Sequence, residues 1–166
     1  MKRINIILSC LFILCVIISA YVGFAIGNNI KKDSKLIDYS NTTWASIHIK
    51  TIQHMPSGIA CSITLKNNSD YVIKQNSLYV RYTITEGNSA RASEAKFETT
   101  GNKLDIKPNE EVLLFCFIPL ESYKDNKNID VTRLQYEIKG YLNEVTTLNH
   151  FTQAGYFPKE ELQPKE

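Results

Sequence analysis

The sequence lacks an excess of charge of either sign. It contains 19 Lys and Arg residues against 17 Asp and Glu residues, which gives a formal net charge of +2. Lys2 and Arg3 account for that difference, so the rest of the chain is neutral. A neutral domain generates no long-range field that would attract a polyanion. We therefore expect no nucleic acid among the partners of this protein.

Sequence motifs of enzymes, metal sites and cofactor sites are also missing. There is no glycine-rich phosphate loop, no recognisable pair of catalytic acids and no Gly-x-Ser-x-Gly turn. The three histidines, His48, His54 and His150, lack the i,i+2 or i,i+4 spacing of metal ligands. The sequence therefore predicts no catalytic, metal-binding or cofactor-binding residues.

What the sequence does contain is one long apolar run near its N-terminus. Residues 4–30 carry no charge, and their apolar part, residues 6–26, covers 21 positions. A helix of that length rises roughly 31 Å, close to the ~30 Å hydrocarbon core of a bilayer. We expect residues 1–27 to anchor the chain in the lipid bilayer of the cell membrane as a single span. Lys2 and Arg3 favour a cytoplasmic N-terminus, which places the C-terminal domain outside the cytoplasm.

A cleaved signal peptide is the alternative interpretation of this run. Gly23-Phe24-Ala25 has the small-x-small pattern of a cleavage site, and cleavage there would release a secreted soluble domain. The run is longer than the roughly 7–15 residues usual in signal peptides, which favours a retained anchor. The polar residues 28–40 predict a juxtamembrane linker. Residues 158–166, with two prolines and five charges, predict a disordered tail.

Residues 41–157 alternate between apolar and polar side chains in short runs separated by turn residues. This period of two is typical of antiparallel strands. Seven or so runs, with turn signals roughly every 8–12 residues, predict an all-β sandwich of two antiparallel sheets. The predicted strands are residues 44–50, 58–66, 78–85, 95–99, 103–106, 112–118 and 131–142, with residues 143–157 ambiguous between strand and short helix.

One of these runs, residues 112–118, is apolar at every position. Continuous apolar runs are typical of strands that are covered on both faces. The pattern therefore predicts a central strand and the most buried segment of the domain.

Three features in this region carry a resemblance to a known class of domains. Lys66-Asn67-Asn68-Ser69 closes a strand, residues 78–85 alternate, and a turn over residues 106–111 leads into the apolar run. Over roughly residues 59–142 this order resembles small immunoglobulin-like domains of bacterial membrane-anchored envelope proteins, although Asn109 stands where such domains usually carry Gly. The resemblance implies an immunoglobulin-like sandwich with a non-catalytic binding or structural role. The expected partner is another envelope protein or a glycan.

Cys61 and Cys116 are the only cysteines outside the N-terminal apolar run, and they lie 55 residues apart. In immunoglobulin-like sandwiches the corresponding strands face each other across the core, so the resemblance allows a disulfide. Such a bridge would stabilise the domain by roughly 4 kcal/mol on the chain-entropy account. Two buried, reduced thiols are the alternative.

A cysteine transpeptidase of the sortase type is the one enzymatic alternative. His54, Cys116 and Arg133 occur in the order of the imidazole, thiol and guanidinium groups of sortases. Cys116 lies among bulky apolar residues in the middle of a predicted strand, where a thiol is usually inert. We therefore expect no enzymatic activity.

The aromatic residues near the C-terminal end of the domain are not explained by the predicted strands. We interpret Tyr141, Phe151, Tyr156 and Phe157 as a candidate partner surface, because exposed aromatic patches mark interaction sites. Packing of these rings on sheet faces and edges is the alternative.

Overall fold

The computed structural model describes residues 37–40 and 43–163. These residues belong to the second of two compact units of the chain, Ile37–Glu166. The predicted membrane anchor, residues 1–27, lies outside the described residues. Within the described part of the chain, no helix has the length and apolar character needed to cross a membrane.

Ten strands and three short 3-10 turns follow one another along the described residues. The strands are β1 (Ala45–Met55), β2 (Gly58–Asn67), β3 (Ile73–Glu86), β4 (Ser89–Ala92), β5 (Phe97–Glu98), β6 (Thr100–Gly101), β7 (Leu104–Ile106), β8 (Glu111–Pro119), β9 (Ile129–Leu142) and β10 (His150–Tyr156). The 3-10 turns are Leu120–Ser122, Thr147–Asn149 and Lys159–Leu162.

The strands form two antiparallel sheets. The first sheet has the order β1-β2-β8-β6, and the second has the order β10-β9-β3-β4, with β5 and β7 also paired to β3. This arrangement confirms the prediction of an all-β sandwich. Residues 143–157, which were ambiguous in the sequence, form a 3-10 turn followed by the edge strand β10.

The core lies between the two sheets and follows the predicted alternation. Ile59, Cys61, Ile63 and Leu65 alternate with polar or small residues along β2 and are each at most 3% exposed. Burial of one aliphatic side chain of this kind contributes roughly 1.5–3 kcal/mol. The inward side chains of the strands therefore make the largest contribution to the free energy of folding. The second sheet adds the buried residues Leu78, Val80, Tyr82, Leu134 and Ile138 to the same cluster.

Two side chains hydrogen-bond to the outer edge of β1, which has no strand partner on that side among the described residues. Gln153 of β10 accepts hydrogen bonds from the amides of Trp44 and Ala45 at 2.8 and 3.0 Å through Oε1, and its Nε2 donates to Ala45 O at 2.7 Å. Glu161 Oε2 accepts the Ile49 amide at 2.7 Å. These contacts join the edge strands of the two sheets through side chains rather than through a strand ladder.

A disordered tail was predicted over residues 158–166, and its described part, residues 158–163, differs from that prediction. Lys159–Leu162 forms a 3-10 turn, Glu161 bonds to β1, and Leu162 packs against the core. Its composition is polar, but the edge of β1 provides amide donors that a carboxylate satisfies well. This partner lies more than 100 residues away in the sequence.

Candidate functional site

Strand β8 exposes an apolar row on its outward face. Leu113, Phe115 and Phe117 are 39%, 52% and 45% exposed, whereas Leu114 between them is fully buried. The prediction that residues 112–118 are covered on both faces is therefore wrong. Side chains alternate along a strand, and only the inward face of β8 meets the second sheet. The outward row consequently remains in contact with solvent.

The neighbouring strands place small or polar side chains beside the two rings. Phe115 lies opposite Ser62 of β2 on one side and opposite Thr100 of β6 on the other. Phe117 lies opposite Ala60 of β2. None of these neighbours is large enough to cover a phenyl ring. The register therefore leaves the faces of both rings accessible from above the sheet.

An open depression of about 490 Å³ lies beside the two rings. Strand β1 contributes Thr51, opposite Ser62, and Gln53, opposite Ala60, so hydroxyl and amide groups line the same depression. The hydroxyl groups of Thr51 and Ser62 hydrogen-bond to each other, which fixes their orientation. We call this surface the aromatic platform, defined by Thr51, Gln53, Ala60, Ser62, Glu98, Thr100, Phe115 and Phe117.

The aromatic platform has little free charge. Among the described residues that line it, Glu98 is the only carboxylate, and its Oε1 lies 2.6 Å from Lys103 Nζ. The same oxygen accepts a hydrogen bond from Ser77 Oγ at 2.9 Å. The hydrogen bond from Lys103, followed by that from Ser77, lowers the pKa of Glu98. The carboxylate is therefore ionised at neutral pH, and the adjacent ammonium group balances its charge.

Cys61 and Cys116 lie directly opposite each other on the adjacent strands β2 and β8, on the inward face. The expectation that their strands face each other across the core is wrong, because both strands belong to the first sheet. Both thiols are free in this structure. Burial raises the pKa of Cys61 to about 11. Burial, and to a smaller extent the neighbouring Cys61, raises the pKa of Cys116 to about 12.

The hydrogen-bond register of this ladder is unfavourable for a disulfide. The Leu120 amide donates to Ser57 O at 2.9 Å, and hydrogen-bonded pairs alternate regularly from there along the two strands. Cys61 and Cys116 therefore form a hydrogen-bonded pair, in which Cβ atoms lie near the upper end of roughly 4.5–5.5 Å. A disulfide requires a separation of about 3.5–4.5 Å. Bridging would thus require the two strands to shift.

We expect iodoacetamide to label Cys61 and Cys116 slowly in the native protein at pH 8 and rapidly after denaturation without a reductant. The thiolate is the reactive form, and with pKa values of about 11 and 12 it is scarce at pH 8. Native labelling should accelerate as the pH rises toward those values. Peptide mass spectrometry measures both rates. Labelling that appears only after reduction would show a disulfide, and fast labelling of Cys116 in the native state would show an accessible thiol.

The histidines have separate surroundings. His48 Nδ1 lies 2.8 Å from Glu161 Oε1, and the His150 ring contacts the Tyr141 ring. Across residues 37–40 and 43–163, no group of three His, Cys, Asp or Glu side chains is arranged to hold a metal ion.

The sequence matches no protein-family model and no curated protein.

The three residues of the sortase-like alternative lie in different environments. His54 is exposed on β1, whereas Cys116 is buried with its Sγ 3.8 Å from Phe97 O. Arg133 lies on β9 of the second sheet, with its guanidinium carbon 4.5 Å from the centre of the Tyr156 ring. A catalytic cysteine needs a lowered pKa and access to substrate. The raised pKa and the burial of Cys116 are the opposite of these requirements.

The four aromatic residues of the predicted partner surface do not all reach the surface. Phe151 and Phe157 are buried in the core, because they lie on the inward side of β10 and just beyond its end. This burial removes them from any exposed patch. Tyr141 is half-buried, and Tyr156 is 48% exposed beneath the Arg133 side chain. The exposed aromatic surface that the sequence did not predict is the one on β8.

Proposed function

We propose that this chain is a single-pass, membrane-anchored protein of a bacterial cell envelope. Its extracytoplasmic domain is an immunoglobulin-like β-sandwich that binds a partner without catalysing a reaction. Residues 1–27 hold the domain at the membrane, and the aromatic platform receives the partner. A secreted form, released by cleavage near Ala25, would change the location of the domain but not the surface through which it binds.

The exposure of Phe115 and Phe117 is the observation that supports this proposal most strongly. Two neighbouring phenyl rings and Leu113 remain open to water on one face of β8, whereas the inward residues of the same strand are buried. Contiguous exposed apolar surface marks interaction sites in soluble domains. An open depression beside the rings gives a partner a shaped surface to fill.

The chemistry of the platform favours binding over catalysis. Its hydroxyl groups on Thr51 and Ser62 hydrogen-bond to each other rather than to a base. Its carboxylate, Glu98, is paired with Lys103 and has a lowered pKa, which makes it a weak base. A nucleophile needs an adjacent base or a lowered pKa of its own. These side chains instead provide neutral hydrogen-bonding groups around an apolar floor.

The binding face is tested by placing the photo-crosslinker p-benzoylphenylalanine at position 115 of the full-length protein in intact cells. We expect discrete adducts from position 115 and none from position 148, where Leu148 is 83% exposed but lies outside the platform. The adducts at 115 should disappear when Phe117→Ser is added. Absence of any adduct, whether to a protein or to a glycan, or the same adducts from both positions, would refute the platform as the binding face.

The anchor and its orientation are tested on the same full-length protein. An intact mass of the membrane-fraction protein that includes residues 1–27 supports a retained anchor, whereas loss of about 25 residues shows cleavage by a signal peptidase. A protease added outside spheroplasts should digest a C-terminal tag only if the domain is extracytoplasmic. Protection of the tag in intact spheroplasts, with digestion after lysis, would contradict the proposed orientation.

A further inference from the structure

The composition of the aromatic platform indicates the kind of ligand that fits it. Phe115 and Phe117 are two positions apart on one strand, so their rings are spaced roughly 7 Å along the outward face. Gln53 and Thr100 flank this pair with an amide and a hydroxyl group. The Thr100 hydroxyl donates to Phe115 O at 3.4 Å, so its oxygen remains available as an acceptor. The site therefore combines a flat apolar surface with neutral hydrogen-bonding groups at its sides.

A sugar ring has the complementary pair of surfaces. The axial C–H groups of a pyranose form an apolar face, and these weakly positive hydrogens are attracted to the negative face of an aromatic ring. The hydroxyl groups project from the rim of the ring, where an amide or hydroxyl side chain can both donate and accept hydrogen bonds. Phenylalanine has no polar group of its own, so the two rings offer only the stacking surface.

The charge of the platform selects among possible partners. The carboxylate of Glu98 is neutralised by Lys103 at 2.6 Å, and the other side chains that define the platform are uncharged. An anionic lipid headgroup or an acidic peptide would find no free cation among these side chains, and a basic peptide would find no free anion. A neutral ligand leaves no charge unpaired when water is excluded. Complementarity of charge therefore favours an uncharged chain.

The size of the depression agrees with a small-ligand site. Its volume of about 490 Å³ lies within the range of roughly 300–1,000 Å³ of ordinary ligand pockets. Ala60 and Ser62 lie opposite the two phenyl rings, and their short side chains leave space for a ring to stack.

We propose that the aromatic platform binds a neutral oligosaccharide, with consecutive sugar rings stacked on Phe115 and Phe117. Gln53 and Thr100 hydrogen-bond to the hydroxyl rims of these sugars. This inference rests on the proposed binding function and specifies the class of ligand that the platform takes.

The test uses the full-length protein in detergent micelles and isothermal titration with two defined probes. The probes are the β-1,4-linked tetramers of N-acetylglucosamine and of glucose, and an oligogalacturonate serves as the anionic comparison. We expect at least one neutral tetramer to bind at micromolar to millimolar concentration and the anionic chain to bind at least tenfold more weakly. Phe115→Ser and Phe117→Ser should each weaken binding at least tenfold. Gln53→Leu, which keeps the size but removes the amide, should weaken it severalfold.

Two control variants separate ligand binding from folding. Phe115→Tyr keeps an aromatic ring and should retain binding, and Leu148→Ser, outside the platform, should leave binding unchanged. Failure of both neutral tetramers to bind at millimolar concentration overturns the proposal, as does unchanged binding by Phe115→Ser. If neither tetramer binds but position 115 still forms a discrete protein adduct in cells, the binding function stands and the sugar ligand is wrong. If neither tetramer binds and position 115 forms no adduct in cells, both the binding function and the sugar ligand are wrong.

Discussion

Replacement of Leu114 by alanine is expected to lower the free energy of unfolding by about 2–5 kcal/mol. Leu114 projects inward from β8, is fully buried, and lies opposite Ile63 of β2. Its truncation removes apolar contacts and leaves a cavity that packed sheets fill poorly. Urea denaturation of the full-length protein measures the loss, and Trp44, the only tryptophan, is a buried fluorescent probe for it.

Phe115→Ala is the matched control for this prediction. It removes a larger side chain from the next position of the same strand, but Phe115 is half-exposed on the outward face. We expect its effect to stay within about 1 kcal/mol, because surface substitutions away from special contacts change stability little. If Phe115→Ala cost as much as Leu114→Ala, the outward face of β8 would have to be covered. The aromatic platform would then not exist as described.

Asn67→Ala should destabilise the domain by about 3–5 kcal/mol, because Asn67 is fully buried and holds three chain segments together. Its Nδ2 donates to Tyr71 O at 2.7 Å and to Ile106 O at 2.9 Å. Its Oδ1 accepts hydrogen bonds from the amide and hydroxyl groups of Ser69 at 3.0 and 2.7 Å. Alanine removes the Asn67 partner of Ile106 O and of the Ser69 amide, each at a cost of roughly 1–3 kcal/mol, whereas Tyr71 O keeps the Ser69 hydroxyl at 3.0 Å.

The adjacent Asn68 provides the comparison. It is exposed, and its side chain donates to the Ser46 hydroxyl group at the surface. Asn68→Ala should therefore change the unfolding free energy by less than about 1 kcal/mol, measured by the same denaturation experiment. Equal losses for the two asparagines would show that Asn67 acts only as a turn residue, and that its bonds to Tyr71 and Ile106 add little.

These two asparagines show how far sequence reasoning reaches in this protein. Asn67 and Asn68 both lie where the sequence predicts the end of a strand, and the structure ends β2 at Asn67. Alternation along β2 and β3 likewise predicts their inward residues, because side-chain direction in a strand is a local property. The difference between the two asparagines depends on Ile106, a partner 39 residues away. Composition and spacing do not contain that information.

The aromatic platform and the position of the two cysteines within one sheet were not predicted, for the same reason. Both depend on β2 and β8 being neighbours in one sheet, which is a matter of strand order rather than of local pattern. One signal was present in the sequence: Ser62, Thr64 and Lys66 make the outward face of β2 polar. A polar face on one strand indicates that the adjacent outward face is open to solvent as well. Once β2 is known to be the neighbour of β8, the outward residues of 112–118 are expected to be exposed.

The contacts of Gln153 and Glu161 with β1 also affect how copies of the domain behave when crowded together. A bare edge strand is a template onto which a second chain can add its own strand, which leads to aggregation or domain swapping. Here the amides of Ala45 and Ile49 on that edge are already occupied by the two side chains. An incoming strand must first displace an amide and a carboxylate that are held in place by β10 and the C-terminal turn. Closely spaced copies are therefore less prone to pair through residues 45–49 of this edge, and the exposed Lys50 next to them adds a charge that repels a second copy.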